Sequence, residues 1–155
     1  MRQLVLQSIP LFRRAALSSS ERILASGAEF RPVEAIYQDE LYRACYILLG
    51  HLYLISEWSG QQKNGRIDFL VRQMKWGIEC VRDGYKLQEH INRFLNGGRY
   101  YQWISSRQIT DYILVDFRQS RPRKLHSMLL PFLTSNDVNT RSSFLSVALL
   151  RDFQQ

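Results

Sequence analysis

The chain has 155 residues, enough to enclose one hydrophobic core, and 45% of them are hydrophobic and 12% aromatic. A formal net charge of +7 directs attention to polyanions: nucleic acid first, an anionic membrane surface second. No run approaches the roughly 18 apolar residues that a membrane-spanning helix needs. Cys45 and Cys80 provide neither a disulfide framework nor a metal-knuckle spacing, and each lies in an apolar stretch where a thiol packs as a small hydrophobe, a usage suited to a reducing compartment.

Residues 1–20 contain Arg2, Arg13 and Arg14 and no acid. They read as an organellar transit peptide, a loosely ordered basic arm or the remnant of an upstream region, and residues 1–30 are set apart as a basic N-terminal arm or helix. From Pro32 onward the spacing of Tyr37, Leu41, Ala44 and Leu48 predicts one face of a helix, stopped at Gly50. Glu40 falls at the edge of that stripe, either as a solvated flank or as a ligand facing a site.

A short apolar run at 51–58 predicts a strand, and the polar stretch 59–65 a loop. Residues 66–71 alternate, with Ile67, Phe69 and Val71 expected on one face and Asp68 on the other. Residues 72–75 form a turn short enough to return the chain antiparallel. In the strand expected at 76–81, Trp76, Ile78 and Cys80 share one face, and Gly77, Glu79 and Val81 the other.

After Asp83 and Gly84, the spacing of Leu87, Ile91 and Phe94 predicts a second amphipathic helix, closed by Asn96-Gly97-Gly98. Its opposite side carries Lys86, His90 and Arg93. Residues 100–104 are aromatic and ambiguous, while 110–117 reads as a strand buried on both faces. Arg118, Arg121, Arg123 and Lys124 surround Pro122 at the exit from the core. Beyond them, 125–133 and 144–150 are compatible with helices or strands, and residues 123–155 are treated as a C-terminal extension.

If the strands carrying Asp68 and Glu79 pair, both carboxylates can project from one side of the sheet. Two like charges so placed repel unless a cation, a shared proton or water intervenes. A hard divalent ion such as Mg²⁺, or Mn²⁺, suits carboxylate oxygens and would activate a water for attack on a phosphodiester. The plain alternative is a pair of acids on the solvent face of a hairpin.

The runs Tyr37-Gln38-Asp39-Glu40, Gly65-Arg66-Ile67-Asp68 and Gly77-Ile78-Glu79, in an α-β-β-β-α-β succession, resemble the PD-(D/E)XK restriction-endonuclease-like superfamily. More narrowly, residues 31–122, centred on 76–84, look like the nuclease-like domains of Crinkler-type effector proteins. The resemblance implies an α/β core with a mixed central sheet flanked by helices. It also implies metal-dependent cleavage of DNA, with RNA the alternative substrate, and an intracellular, nuclear setting. Glu40, Asp68 and Glu79 would surround the metal.

One position departs from the family pattern: the lysine expected two residues after the glutamate is Val81 here. Lys86 or Arg82 is the candidate replacement. Phosphate contacts are expected from Lys86, His90, Arg93, Arg99, Arg118, Arg121, Arg123 and Lys124, with Tyr100, Tyr101 and Trp103 either stacking on bases or packing in the core. A catalytically inactive nucleic-acid-binding relative and a protein-interaction domain are the competing functions.

Overall fold

A computed structural model describes residues 1–18, 34–50, 52–60 and 65–118. His51, the basic residues Arg121, Arg123 and Lys124, and both undecided C-terminal segments lie outside those residues.

The elements run α1 (Arg2–Ser8), a 3₁₀ turn (Ile9–Leu11), α2 (Arg14–Ser18), α3 (Glu34–Leu49), β1 (Leu54–Trp58), β2 (Ile67–Val71), β3 (Trp76–Arg82), α4 (Leu87–Phe94), α5 (Tyr101–Ser105) and β4 (Asp111–Phe117). The fold is α/β, as expected. Its four strands form one mixed sheet in the order β1-β2-β3-β4: the first three alternate in direction, and β4 joins β3 in parallel. The turn at 72–75 closes with the Lys75 N–H donating to the Arg72 carbonyl at 3.2 Å. The β3–β4 crossover instead travels through α4 and α5, because a parallel neighbour cannot be reached by a tight turn.

Each face of the sheet buries its own cluster. On one, Tyr37, Leu41 and Cys45 of α3 pack with Phe69, Val71, Ile78, Cys80, Ile113, Val115 and Phe117. On the other, Leu87, Ile91 and Phe94 of α4 join Tyr100, Trp103, Ile109, Leu70, Val81 and Leu114. β4 therefore contributes alternate residues to both clusters, which is why it reads as an unbroken apolar run. Helices cover both faces.

Three local expectations change. Ile67 leaves Phe69 and Val71 and joins the α4 side, where it fills the space above Gly77: a Cβ there would stand 2.6 Å from Ile67 Cδ1 and 3.2 Å from Ile109 Cδ1. The buried stripe of α3 continues through Cys45, and Leu48 is exposed. The stretch at 100–104 is helical, with Tyr100 and Trp103 stacked in the core at 5.0 Å between ring centroids.

The first eighteen residues, read from sequence as a loose arm or leader, pack against the core. Val5 and Ser8 are fully buried, and Phe12 lies 6.1 Å from the ring of Phe117. Glu40 fastens this layer. Its Oε1 accepts from Arg13 Nε and Nη2 at 2.9 and 2.6 Å, and its Oε2 from the Arg13 backbone N–H at 2.7 Å and Arg43 Nη2 at 3.0 Å. Arg43 also donates to the Leu11 carbonyl. Burial alone would raise the Glu40 carboxyl, but Arg13 and Arg43 outweigh it and hold the group down at about 2.

Replacing Glu40 with Gln should lower unfolding free energy by about 2 kcal/mol, the scale of lost charge-assisted hydrogen bonds. Limited proteolysis should then cut within residues 1–18 before the sheet. Because the folded carboxyl is depressed, this contribution is complete above its ordinary range and disappears as pH falls towards about 2.

Candidate functional site

β2 and β3 stay in register over Val71–Trp76, Leu70–Gly77 and Phe69–Ile78, and their pairing ends there. Continuing that register would set Asp68 opposite Glu79. Instead the Asp68 side chain enters the ladder, and its Oδ2 accepts the Cys80 backbone N–H at 2.6 Å. The strand irregularity that sends Ile67 to the far side thus coincides with the point where a carboxylate replaces a backbone acceptor.

Asp68 is consequently an unusual acid. Burial raises its carboxyl to about 7, the nearby Glu79 charge adds to the rise, and the Cys80 N–H opposes it. Among the described residues, its Oδ1 accepts no hydrogen bond.

Glu79 is 1% exposed. Its Oε1 meets His90 Nδ1 at 2.8 Å and Arg93 Nη1 at 2.6 Å, while the Tyr100 hydroxyl lies 3.2 Å from Oε2. The same hydroxyl is 2.5 Å from the Arg66 carbonyl, which ties this group of side chains to the start of β2. His90 and Arg93, expected to contact phosphate, are turned towards Glu79 and only 15% and 22% exposed. The apolar spacing gave the buried side of α4 correctly, Leu87, Ile91 and Phe94, but not that His90 and Arg93 beside it would reach a buried carboxylate.

A third acid comes from α3, and it is Glu34 rather than Glu40. Burial foremost raises the Glu34 carboxyl; His90, Arg82 and Arg93 pull against that, and Glu79 adds to it. Glu34 Oε1 accepts from Gln38 Nε2 at 3.2 Å, one turn along the same helix. Glu40 has both oxygens engaged by Arg13 and Arg43, so its expected position around a metal is corrected. Glu34 was overlooked because it precedes the apolar stripe used to read the helix. An acid in a helix's first turn, where it favours the helix dipole, was the only signal.

The expected cations divide sharply. Val81, at the position of the family lysine, is buried under α4 and supplies no charge. Lys86 stands before α4 in a left-handed conformation, φ 51°, with its ammonium 3.6 Å from Glu89 and over the Tyr85 ring. Arg82 is partly buried, near enough for its charge to act on Glu34.

Arg118, expected to contact nucleic acid, bonds Asp116 Oδ2 at 2.5 Å; Asp116 Oδ1 accepts the Gly84 N–H at 2.9 Å. Asp116 is fully buried and Arg118 largely so, and the pair secures the turn between β3 and α4, so Arg118 is a structural partner rather than an outward cation. Asp116 had been hidden in an apolar run. Arg99 is exposed.

The donor chemistry suits a hard cation. Asp68 Oδ1 and Glu79 Oε2 are carboxylate oxygens with lone pairs to spare, and Mg²⁺ commonly uses one or two carboxylates while retaining water. No group of three or more His, Cys, Asp or Glu side chains is assembled around a cation position among the described residues. No described helix is long and apolar enough to cross a membrane. Compared with protein families, curated proteins and solved structures, the chain matches none.

Asp68→Asn should stabilise the protein above pH 7 by about 1–2 kcal/mol, because the amide keeps an acceptor for Cys80 and removes a charge that repels Glu79. With the folded carboxyl raised to about 7, the destabilisation it causes is absent at low pH and grows as pH rises towards that value. Thermal unfolding at pH 5 and pH 8 checks this: the gain should shrink at the lower pH.

Proposed function

We propose that this protein is a metal-dependent, nuclease-like domain that hydrolyses DNA phosphodiester bonds. The observation that carries the reading is that Asp68, where the β2–β3 pairing ends, has an Oδ1 that accepts no hydrogen bond among the described residues and lies near enough to Glu79 to feel its charge. The α-β-β-β-α-β order and the motif runs resembling the PD-(D/E)XK superfamily support it.

Asp68 and Glu79 are the residues that would hold Mg²⁺ or Mn²⁺. Such an ion supplies a bound water of lowered pKa and offsets charge on the phosphate. The protein's own residues do the positioning: the Cys80 N–H orients Asp68, the Tyr100 hydroxyl and His90 orient Glu79, and Arg82 and Arg93 bring positive charge to the approach of a phosphate. Arg99 and Lys86 lie exposed where a polyanion could be met.

Buried Val81 and the cations already placed against Glu79 favour a second reading, a nucleic-acid-binding relative without catalysis. Purified protein incubated with supercoiled plasmid and Mg²⁺ separates the two. The nuclease reading expects nicking that falls about hundredfold or more in an Asp68→Asn, Glu79→Gln variant. Cutting that persists in this variant would remove the site. No cutting, with DNA retention that weakens steeply between roughly 50 and 200 mM salt, would establish the binding role instead.

A further inference from the structure

Arg93 reaches Glu79 through a single nitrogen. Its Nη1 donates to Glu79 Oε1 at 2.6 Å and lies 3.5 Å from the Tyr100 hydroxyl, whereas Nε and Nη2 donate to no acceptor among the described residues. A guanidinium is a planar fork whose donors match phosphate oxygens, and this one presents part of the fork unengaged while remaining 22% exposed. The same nitrogen occupies the oxygen that His90 Nδ1 also meets, so positive charge stands permanently against the carboxylate that a divalent cation would need. A cation arriving at Glu79 is therefore opposed by a group that a phosphate would attract.

We infer that Arg93 is a built-in counterion that competes with a divalent cation for Glu79, and that a nucleic-acid phosphate relieves the competition by drawing the guanidinium towards itself. Cation and nucleic acid then bind cooperatively, each favouring the other by the same factor. This deepens the nuclease reading and rests on it for the identity of the cation. Arg93 is a positioning residue in this scheme: in the absence of DNA it keeps the acid neutralised, and in its presence it orients the phosphate.

The test titrates Mn²⁺ into the full chain, following the free ion by electron paramagnetic resonance, for wild type, Arg93→Gln and Asp68→Asn. Arg93→Gln should bind Mn²⁺ about tenfold more tightly than wild type, an ordinary size for such a coupling, and Asp68→Asn more weakly. Fluorescence anisotropy of a labelled phosphorothioate duplex should show Mn²⁺ tightening DNA binding in wild type, an effect much reduced in Arg93→Gln. Equal Mn²⁺ affinity in wild type and Arg93→Gln, with Asp68→Asn still weaker, would overturn the counterion role and leave the cation site standing. Absence of Mn²⁺ binding from all three would overturn both. Should Arg93→Gln fail to fold, the wild type decides: the Arg93 Nε–H resonance should shift when Mg²⁺ is added, and an unmoved resonance rejects the competition.

Discussion

Glu79 lies in the third strand with a neighbour on each side and almost no solvent, and the surroundings are arranged to tolerate its charge. An uncompensated ion in such a place is strongly unfavourable, so α4 must dock with His90 and Arg93 facing the sheet, and Tyr100 must stack with its hydroxyl within reach. These demands fix how α4 rolls on its axis and where the aromatic core begins. The apolar residues Leu87, Ile91 and Phe94 fit the same orientation, so hydrophobic and electrostatic requirements agree.

Comparison with the other buried acids shows what is distinctive. Glu40 and Asp116 each have both oxygens occupied by protein donors, and each ties a distant segment to the core. Their work is architectural. Asp68 is held by one oxygen and crowded by a like charge, an arrangement that a sheet built for stability alone would avoid. Local destabilisation of this kind gathers where ligands bind, because the missing interaction is left for something else to make.

Much of the architecture was legible in the sequence. The period-2 pattern of 76–81, the turn at 72–75 and the apolar run of β4 are set by neighbouring residues, and they led to the right strands. What escaped was decided over longer distances. Alternation assumes a regular strand, so it put Ile67 on the wrong side where the ladder is interrupted. Glu40 was expected at a metal and His90 and Arg93 at phosphates; their partners lie 27, 11 and 14 residues away, and only tertiary packing selects them. Glu34, whose carboxyl feels the charges of His90, Arg82, Glu79 and Arg93, stands at the start of α3, where no periodicity records it.

The contact between Phe12 and Phe117 joins nearly the two ends of the described chain. A ribosome adding roughly 5–20 residues per second would finish the last strand on the order of ten seconds after the first helix has emerged. Until β4 is in place, the cluster that receives Leu4 and Val5 lacks Ile113, Val115 and Phe117. The layer built from α1 and the 3₁₀ turn is thus completed only when β4 has joined the sheet, so a stretch that precedes α3 depends for its seat on a strand made about a hundred residues later.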